Sequence, residues 1–249
     1  MPAKTRIDVL LVERGLVPSR ERARALILAG RVLVNEQKID KPGTGVAPEA
    51  ALRLLGEDMR YVSRGGLKLE GALDHWSIPV EARHCVDVGT STGGFTDCLL
   101  QRGAASVTCV DTGFGQIAMK LRSDPRVRLM ERTNARMLER GALGPEASLL
   151  VMDVSFISAT LLLEPVFAAA AGLREAVILV KPQFEAGREH VGKGGIVRDP
   201  AAHRLAIDRV SAAVETLGWR IVGVIPSPIA GAEGNREFLL YAHNPDLLP

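Results

Sequence analysis

The sequence predicts an α/β protein in two parts, with a mostly parallel sheet covered by helices on both faces after a small α+β module. Seven short apolar runs lie between residues 84 and 243, and stretches with helical spacing separate them. Near-continuous apolar strands that alternate with helices are typical of a parallel sheet buried on both sides. The 249 residues, 47% of them hydrophobic, can bury a substantial core, which excludes disordered and fibrous classes.

Basic residues are concentrated at the N-terminal end of the chain. Residues 1–66 carry 12 Lys and Arg against 8 Asp and Glu, a net charge of +4, whereas the remaining residues carry 19 against 21, a net charge of −2. A basic segment of this kind suits a polyanionic partner. The excess is small, however, so charge alone leaves open whether that partner is a nucleic acid.

The sequence predicts a cytoplasmic protein that does not span a membrane. The three cysteines show no C-x-x-C spacing and two lie within apolar runs, which favours reduced core thiols. No apolar signal region follows Met1, and the most apolar stretch, residues 161–173, is interrupted by Glu164 and Pro165. That stretch is too short for a membrane span.

The N-terminal residues are predicted to form a helix, a second helix and a hairpin. The periodic run IDVLLVERG precedes PSRERARALILAG, and then RVLVN, a polar turn and another short strand follow. Ser19 is expected to cap the second helix and Gly30 to follow its end. Ala23, Leu26, Ile27 and Gly30 have the spacing of a buried helix face, so the arginines project from a different side.

A polar, glycine-containing segment, residues 56–66, ends where the helical pattern LKLEGALDHW begins. Such a segment is typical of a domain boundary. We therefore predict a basic module over residues 1–60, a linker over residues 61–66 and a second domain over residues 67–249.

A glycine turn follows the first strand of the second domain, in the run DVGTSTGGF at residues 87–95. Gly89, Gly93 and Gly94 are expected to let the backbone approach a ligand closely. The second strand ends at Asp111, where a carboxylate can accept hydrogen bonds from both hydroxyls of a ribose. The dinucleotide spacing G-x-G-x-x-G and the Walker P-loop are absent from the sequence. The pattern thus predicts a nucleoside cofactor without saying which one.

The N-terminal order of an Arg-rich helix, Gly-Arg-Val-x-Val-Asn and a hairpin resembles the small RNA-binding module of ribosomal small-subunit protein four. Such modules hold folded RNA through its phosphates. The resemblance implies that basic side chains contact RNA, although a solvated helix face explains the helical arginines equally well. The candidates are Arg20, Arg22, Arg24, Arg31, Lys38 and, in the segment after the module, Arg64.

Nearly the whole chain resembles one family, the TlyA rRNA 2′-O-methyltransferases, which are also labelled haemolysins. The glycine turn DVGTSTGGF resembles the adenosylmethionine turn of FtsJ-related enzymes, and YVSRGGLKLEGAL, MDVSFIS, LVKPQFEAGREHVGKGGIVRD and SPIAGAEGNREFLLY match the family in order. The resemblance implies a Rossmann-like class I methyltransferase domain that uses S-adenosyl-L-methionine. It further implies ribosomal RNA within ribosomal subunits as the partner, with a cytidine ribose as the acceptor.

FtsJ-like enzymes carry a Lys-Asp-Lys-Glu tetrad, and the matching positions are Lys68, Asp153, Lys181 and Glu237. Asp153 and Lys181 each follow an apolar strand, so we expect both at strand ends that face the ligand crevice. By resemblance Lys181 is the base that removes the hydroxyl proton, and Asp153 and Glu237 orient the lysines and the hydroxyl. These roles can be permuted within the tetrad. A lysine removes a proton only when neutral, and burial beside a second cation favours that form.

The residues expected to bind the cofactor stand in the glycine turn and after the next three strands. They are Asp87, Gly89, Thr90, Ser91, Gly93, Gly94, Phe95, Asp111, Asn134 and Asp153. Asn134 is expected at the adenine edge, although a structural role for it is equally open. The five histidines show no ligand spacing, so no metal is expected.

Two other functions are compatible with parts of the sequence. A membrane-active haemolysin needs an amphipathic or spanning apolar element, and none of the predicted helices offers one. A non-catalytic RNA-binding factor for ribosome assembly needs a vestigial second domain, and the intact glycine turn and tetrad count against that.

Overall fold

The computed structural model describes residues 4–55, 60–231 and 234–247. The chain divides into two units, Met1–Asp58 and Met59–Pro249. Of the segment predicted as the boundary, residues 56–59 lie outside the described residues. The residues predicted as a linker pack within the second unit, because Tyr61 is buried and the Val62 N–H donates to the Asp97 carboxylate at 2.8 Å.

The first unit is an α+β module, as predicted. The strands β2 and β3 form the expected hairpin, and β2 also pairs antiparallel with β5. A separate pair joins β1 and β4. The strands β1, β4 and β5 were not predicted, because two or three residues are too few to show a periodic pattern. The elements are β1 (Thr5–Arg6), α1 (Ile7–Glu13), α2 (Arg20–Leu28), β2 (Val32–Val34), β3 (Gln37–Ile39), β4 (Gly45–Val46) and β5 (Leu52–Leu54).

The helix α2 begins and ends where the sequence predicts. The Ser19 hydroxyl accepts the Arg22 N–H at 3.2 Å, and Gly30 follows the end of the helix with φ +65°. Ala23, Leu26 and Ile27 are buried in the core of the module. The helix face that was predicted to be apolar therefore packs in the core. The charged side chains of α2 occupy the positions between these apolar residues.

All seven apolar runs of the second unit form strands of one sheet, in the order β11-β12-β10-β9-β6-β7-β8. The strand β12 runs antiparallel to both of its neighbours, β10 and β11. The chain moves outward from β6 to β7 and β8 and then returns to the other side of β6 at β9. The strands are β6 (His84–Val88), β7 (Ser106–Val110), β8 (Val127–Met130), β9 (Ala147–Met152), β10 (Glu175–Val180), β11 (Arg220–Pro226) and β12 (Phe238–His243).

Helices cover both faces of this sheet, which confirms the predicted fold class. Successive residues of β9 alternate between two apolar cores: Leu150 packs under α6 and α8, and Leu149 packs under α3 and α4. The helices are α3 (Gly65–His75), α4 (Gly94–Gln101), α5 (Met119–Arg122), α6 (Thr160–Ala169), α7 (Pro182–Glu185) and α8 (Pro200–Thr216). Single 3₁₀ turns lie at Ala135–Met137, Arg188–His190 and Lys193–Gly195.

Cys85, Cys98 and Cys109 are buried free thiols inside this second unit, as expected. Burial raises the pKa of the Cys98 thiol to about 11 and that of Cys85 to about 12, so both stay protonated at neutral pH. In the described part of the chain, no helix is long and apolar enough to cross a membrane.

Candidate active site

Two adjoining cavities, of about 390 and 270 Å³, open at the carboxyl ends of the parallel strands. The larger cavity is lined by the loops after β6, β7, β8 and β9, and the smaller one by the start of α3, the glycine turn and the ends of β9 and β10. Both lie beside β6, where the strand order reverses, and open α/β sheets bind ligands at this point. The two cavities share Gly89, Ser91, Asp153 and Ser155.

The glycine turn after β6 is held by contacts with the protein itself. Gly89 has φ +85° and Gly93 has φ +94°. A Cβ on Gly89 would lie 2.2 Å from the Asp153 carbonyl oxygen, and one on Gly93 would lie 2.3 Å from Leu121 Cδ1. We expected these glycines to leave room for a ligand, and the structure fills that room with protein atoms. Gly89 still lines both cavities through its backbone.

Asp87 lies behind the turn and is fully buried. Its Oδ2 accepts the Thr96 N–H at 3.0 Å and the Thr96 hydroxyl at 2.6 Å, and its Oδ1 has no hydrogen-bond partner among the described residues. Burial raises the pKa of Asp87 to about 7, although the Thr96 hydrogen bonds act in the opposite direction. Neither cavity is lined by Asp87 or Gly93, so the structure places these two candidates in the scaffold of the turn.

Asp111 connects two loops at the wall of the larger cavity. Its Oδ2 accepts the Ser91 N–H and its Oδ1 the Gly113 N–H, both at 2.7 Å. Asn134 lines the same cavity and caps the following 3₁₀ turn, since its Oδ1 accepts the Arg136 N–H at 3.1 Å. The remaining candidates from the turn, Thr90, Gly94 and Phe95, line the smaller cavity.

Four charged side chains form two ion pairs at the smaller cavity. Lys68 Nζ lies 2.6 Å from Glu237 Oε2, and Lys181 Nζ lies 2.5 Å from Asp153 Oδ1. The two lysines and Asp153 line the cavity, and Glu237 stands behind Lys68. Lys68, Lys181 and Glu237 are 8%, 7% and 2% exposed, so each charge depends on its partner. The tetrad predicted from the sequence is thus gathered in one place.

Two further residues contribute to this cluster, and the sequence reasoning missed the second of them, Gly231. The Lys181 ammonium also donates to the Ser155 hydroxyl at 2.8 Å, and Ser155 lines both cavities. Gly231 lies against Glu237, because a Cβ there would be 2.0 Å from Glu237 Oε1. The position of Ser155 two residues after Asp153, just beyond a strand end, was the available signal for it.

Asn235 is another residue that the sequence reasoning missed, and it is 3% exposed. Its Oδ1 accepts the Val197 N–H at 3.0 Å, and its Nδ2 donates to the Gly195 carbonyl at 2.9 Å. Its own carbonyl accepts the Gly231 N–H at 2.8 Å. Asn235 therefore ties the loop that precedes α8 to the segment that carries Gly231 and Glu237.

The candidates for RNA contact fall into both units. Arg64 is exposed and lines the smaller cavity in the second unit. In the first unit, the Arg20 guanidinium pairs with buried Asp8 at 3.0 Å, and Arg31 Nε donates to the Leu55 carbonyl at 2.8 Å. The remaining three positions in this unit are basic side chains of α2 and β3. Arg24 and Lys38 are exposed, and Arg22 is partly buried.

Asp8 gives the first unit a buried charge. The hydrogen bond from Arg6 is the main cause that lowers the pKa of Asp8 to about 2, and Arg20 adds to it. Arg20 therefore has a structural partner within the module as well as a predicted RNA role. Among the residues that the structure describes, no group of three or more His, Cys, Asp or Glu side chains could hold a metal ion.

Comparison with known proteins agrees with this arrangement. The FtsJ-like methyltransferase family matches residues 61–244, and the S4 domain matches residues 5–52. The chain is 46% identical over 242 residues to the 16S/23S rRNA (cytidine-2′-O)-methyltransferase TlyA of Mycobacterium tuberculosis, covering 97% of this chain and 90% of the relative. It is 39% identical to Hemolysin A of Brachyspira hyodysenteriae, covering 95% and 98% of the two chains.

A solved structure of a candidate hemolysin from Streptococcus thermophilus matches 99% of this chain and 90% of its own, with a TM-score of 0.73 and 43% identity. The family matches cover both units, and the relatives extend across almost the full chain. The chain therefore belongs to the TlyA family of FtsJ-like methyltransferases, with an S4 domain ahead of the methyltransferase domain.

Proposed function

We propose that this protein transfers a methyl group from S-adenosyl-L-methionine to the 2′-hydroxyl of a cytidine in ribosomal RNA. The observation that carries the proposal is the pair of buried Lys–carboxylate contacts, Lys181–Asp153 and Lys68–Glu237, beside a cavity of nucleoside size. The names of the rRNA methyltransferase relatives support the substrate class. Because the proposed substrate is a ribosomal subunit, we expect the reaction to occur in the cytoplasm.

The larger cavity fits an adenosyl cofactor. The Asp111 carboxylate at its wall uses one lone pair of each oxygen on backbone N–H groups, and each oxygen keeps further acceptor capacity for the two hydroxyls of a ribose. Asn134 offers an amide at the same wall, and Val88, Val110 and Leu162 provide apolar surface. When bound there, S-adenosylmethionine supplies a methyl group on a sulfonium centre.

The residues of the smaller cavity position and deprotonate the acceptor hydroxyl. A ribose hydroxyl is a weak nucleophile, so the enzyme must align it and remove its proton. We assign that proton to Lys181 in its neutral form, with Ser155 and Asp153 fixing the direction of the amine through contacts of 2.8 and 2.5 Å. Once the proton has moved, the Asp153 carboxylate stabilises the resulting ammonium. Lys68, held by Glu237, stabilises negative charge that develops on the hydroxyl oxygen.

The N-terminal unit, which we assign to residues 1–60, supplies affinity for RNA. Its basic side chains on α2 and β3 are suited to phosphate contacts, which give affinity and register without reading sequence. Arg64 at the rim of the smaller cavity can meet a phosphate next to the reacting ribose. We assign residues 67–249 to catalysis, together with residues 61–66, which pack within the second unit.

The direct test is methyl transfer to purified ribosomal subunits with labelled S-adenosylmethionine, followed by mapping of the modified ribose. We expect one label on a cytidine 2′-oxygen and none with Lys181→Ala, which should still bind cofactor in calorimetry. Label on a base, on protein or on no component of either subunit would contradict the proposal.

A further inference from the structure

A third cavity, of about 330 Å³, adjoins the larger of the two described above and shares Phe156 and Ile157 with it. It lies between the loop after β9 and α7. The rings of Phe156 and Phe184 line it with their centroids 5.5 Å apart, and Lys181 Nζ lies 6.0 Å from the centroid of the Phe184 ring. Aromatic side chains are common platforms for unstacked bases. A nucleotide whose ribose hydroxyl reaches Lys181 therefore has this cavity beside its base.

Gln183 brings a primary amide to this cavity, two residues after Lys181. Its Oε1 is buried and accepts no hydrogen bond from any residue that the structure describes. The neighbouring Ser158 hydroxyl is already engaged, because it donates to Glu185 Oε2 at 2.5 Å. A buried acceptor without a donor is unfavourable, so a rotation of the Gln183 side chain that brings this oxygen to an N–H group of a bound base would be favoured.

We propose that Gln183 selects the base of the target nucleotide by accepting a hydrogen bond from the exocyclic amino group of cytosine. Uracil carries a carbonyl oxygen at the same position, so two acceptors would face each other. The inference rests on the function proposed above and adds the residue that distinguishes cytidine from uridine. Gln183 contacts the base alone, which makes it a specificity-determining residue and leaves proton transfer to Lys181.

The test compares kcat/KM on subunits that carry C or U at the mapped position. Wild type should prefer C by about tenfold or more, because sites built around a hydrogen bond reject analogues that cannot form it. Gln183→Ala and Gln183→Met remove the acceptor and should lower the C-to-U ratio about tenfold, mainly through slower reaction with C. Gln183→Glu keeps an acceptor and should keep the preference. Gln101→Ala, at an exposed position outside the three cavities, should leave the ratio unchanged.

The variants also separate this inference from the proposed function. If Gln183→Ala and Gln183→Met both keep the wild-type C-to-U ratio of kcat/KM, the inference is wrong although the protein transfers methyl groups. Equal activity of wild type on C and U would also overturn it. An absence of transfer by wild type to either subunit overturns the proposed function instead. If Gln183→Ala loses its cooperative melting transition, Gln183→Met keeps the side-chain volume and decides the question together with Gln183→Glu.

Discussion

At the scale of single residues, the site depends on charges that are buried in pairs. Lys68 and Lys181 are each more than nine-tenths buried, and each lies within 2.6 Å of a carboxylate oxygen. Removing one partner of a buried pair leaves the other charge uncompensated, which typically costs about 3–5 kcal/mol. Substitutions that keep the charge therefore separate chemistry from stability more clearly than truncations do.

Lys181→Arg tests the assignment of the base. Arginine keeps the cation and its contact with Asp153, but a guanidinium does not lose a proton at accessible pH. We expect the single-turnover rate to fall by about a hundredfold or more, while cofactor and RNA affinities stay near wild type. The matched control is Lys120→Arg, whose side chain is 57% exposed and lines neither cavity of the site. A near-normal rate with Lys181→Arg would leave Lys181 as a positioning group.

The raised pKa of Asp87 predicts that the stability of the folded protein depends on pH. Its pKa is about 7 in the folded protein and 3.8 without the fold, so the folded state retains a proton that the unfolded state loses. The protonated Asp87 carboxyl therefore stabilises the folded state fully below about pH 4, and this stabilisation is lost as the pH rises through 7. Asp87→Asn should remove on the order of 2 kcal/mol from the difference in unfolding free energy between pH 5 and pH 8. Urea titrations at both pH values measure it, and identical pH dependence in the two proteins would contradict the prediction.

At the scale of elements, short connections carry much of the site. The helix α7 has four residues, and the Asn235 amide ties the loop that precedes α8 to the segment before β12. Regular strands deliver Asp153 and Lys181 to the crevice, whereas Glu237 is positioned by this irregular segment. The catalytic geometry is therefore most sensitive to changes in the loops.

Asn235→Ala should lower kcat about tenfold or more and leave cofactor affinity near wild type, because Asn235 lines neither cavity and acts through the segment that carries Glu237. Steady-state kinetics and calorimetry measure the two quantities. Asn244→Ala is the control, since its side-chain oxygen also accepts a backbone N–H, from Asp246 at 3.0 Å, after the end of β12. An unchanged kcat in a destabilised Asn235→Ala protein would show that the amide has a structural role only.

The helix α2 offers a second comparison, between Arg20 and Arg24. Arg24→Ala should weaken rRNA binding and reduce the salt dependence of the affinity by roughly one counterion, with stability changed by less than about 0.5 kcal/mol. Arg20→Ala should also lower the unfolding free energy of the first unit by about 1 kcal/mol, because it removes one of two partners of buried Asp8. Filter binding over a salt series and thermal melting measure these effects. Equal affinity and salt slope for Arg24→Ala and wild type would exclude Arg24 from the RNA interface.

At the scale of the whole molecule, the two units have separate apolar cores and matches to separate families. The second unit contains both cavities and all four charged residues of the tetrad. Cofactor binding and RNA affinity are therefore expected to be separable properties of the chain.

A protein reduced to residues 59–249 should fold, bind S-adenosylmethionine as the full chain does and methylate ribosomal subunits poorly at physiological salt. The lost RNA affinity should depend strongly on salt, since phosphate contacts release counterions. Calorimetry with the cofactor is the control for folding. Full activity of the shortened protein on subunits would assign the first unit another purpose.

The sequence by itself determined the order of the strands along the chain, the caps of α2 and the positions of Asp153 and Lys181 after strands. Apolar periodicity and capping residues are local signals, so they can be read without knowing which segments meet. By resemblance it also indicated the family and the tetrad. The short strands β1, β4 and β5 gave no such signal.

Only the tertiary structure decided which tetrad members pair, that Asp87 and Gly93 lie in the scaffold of the turn, and that Asn235 ties two loops together. Lys68 and Glu237 are 169 positions apart in sequence and 2.6 Å apart in space. This contact arises because helix α3 packs against the sheet beside β12, far away in sequence, and burial then sets which groups need a partner.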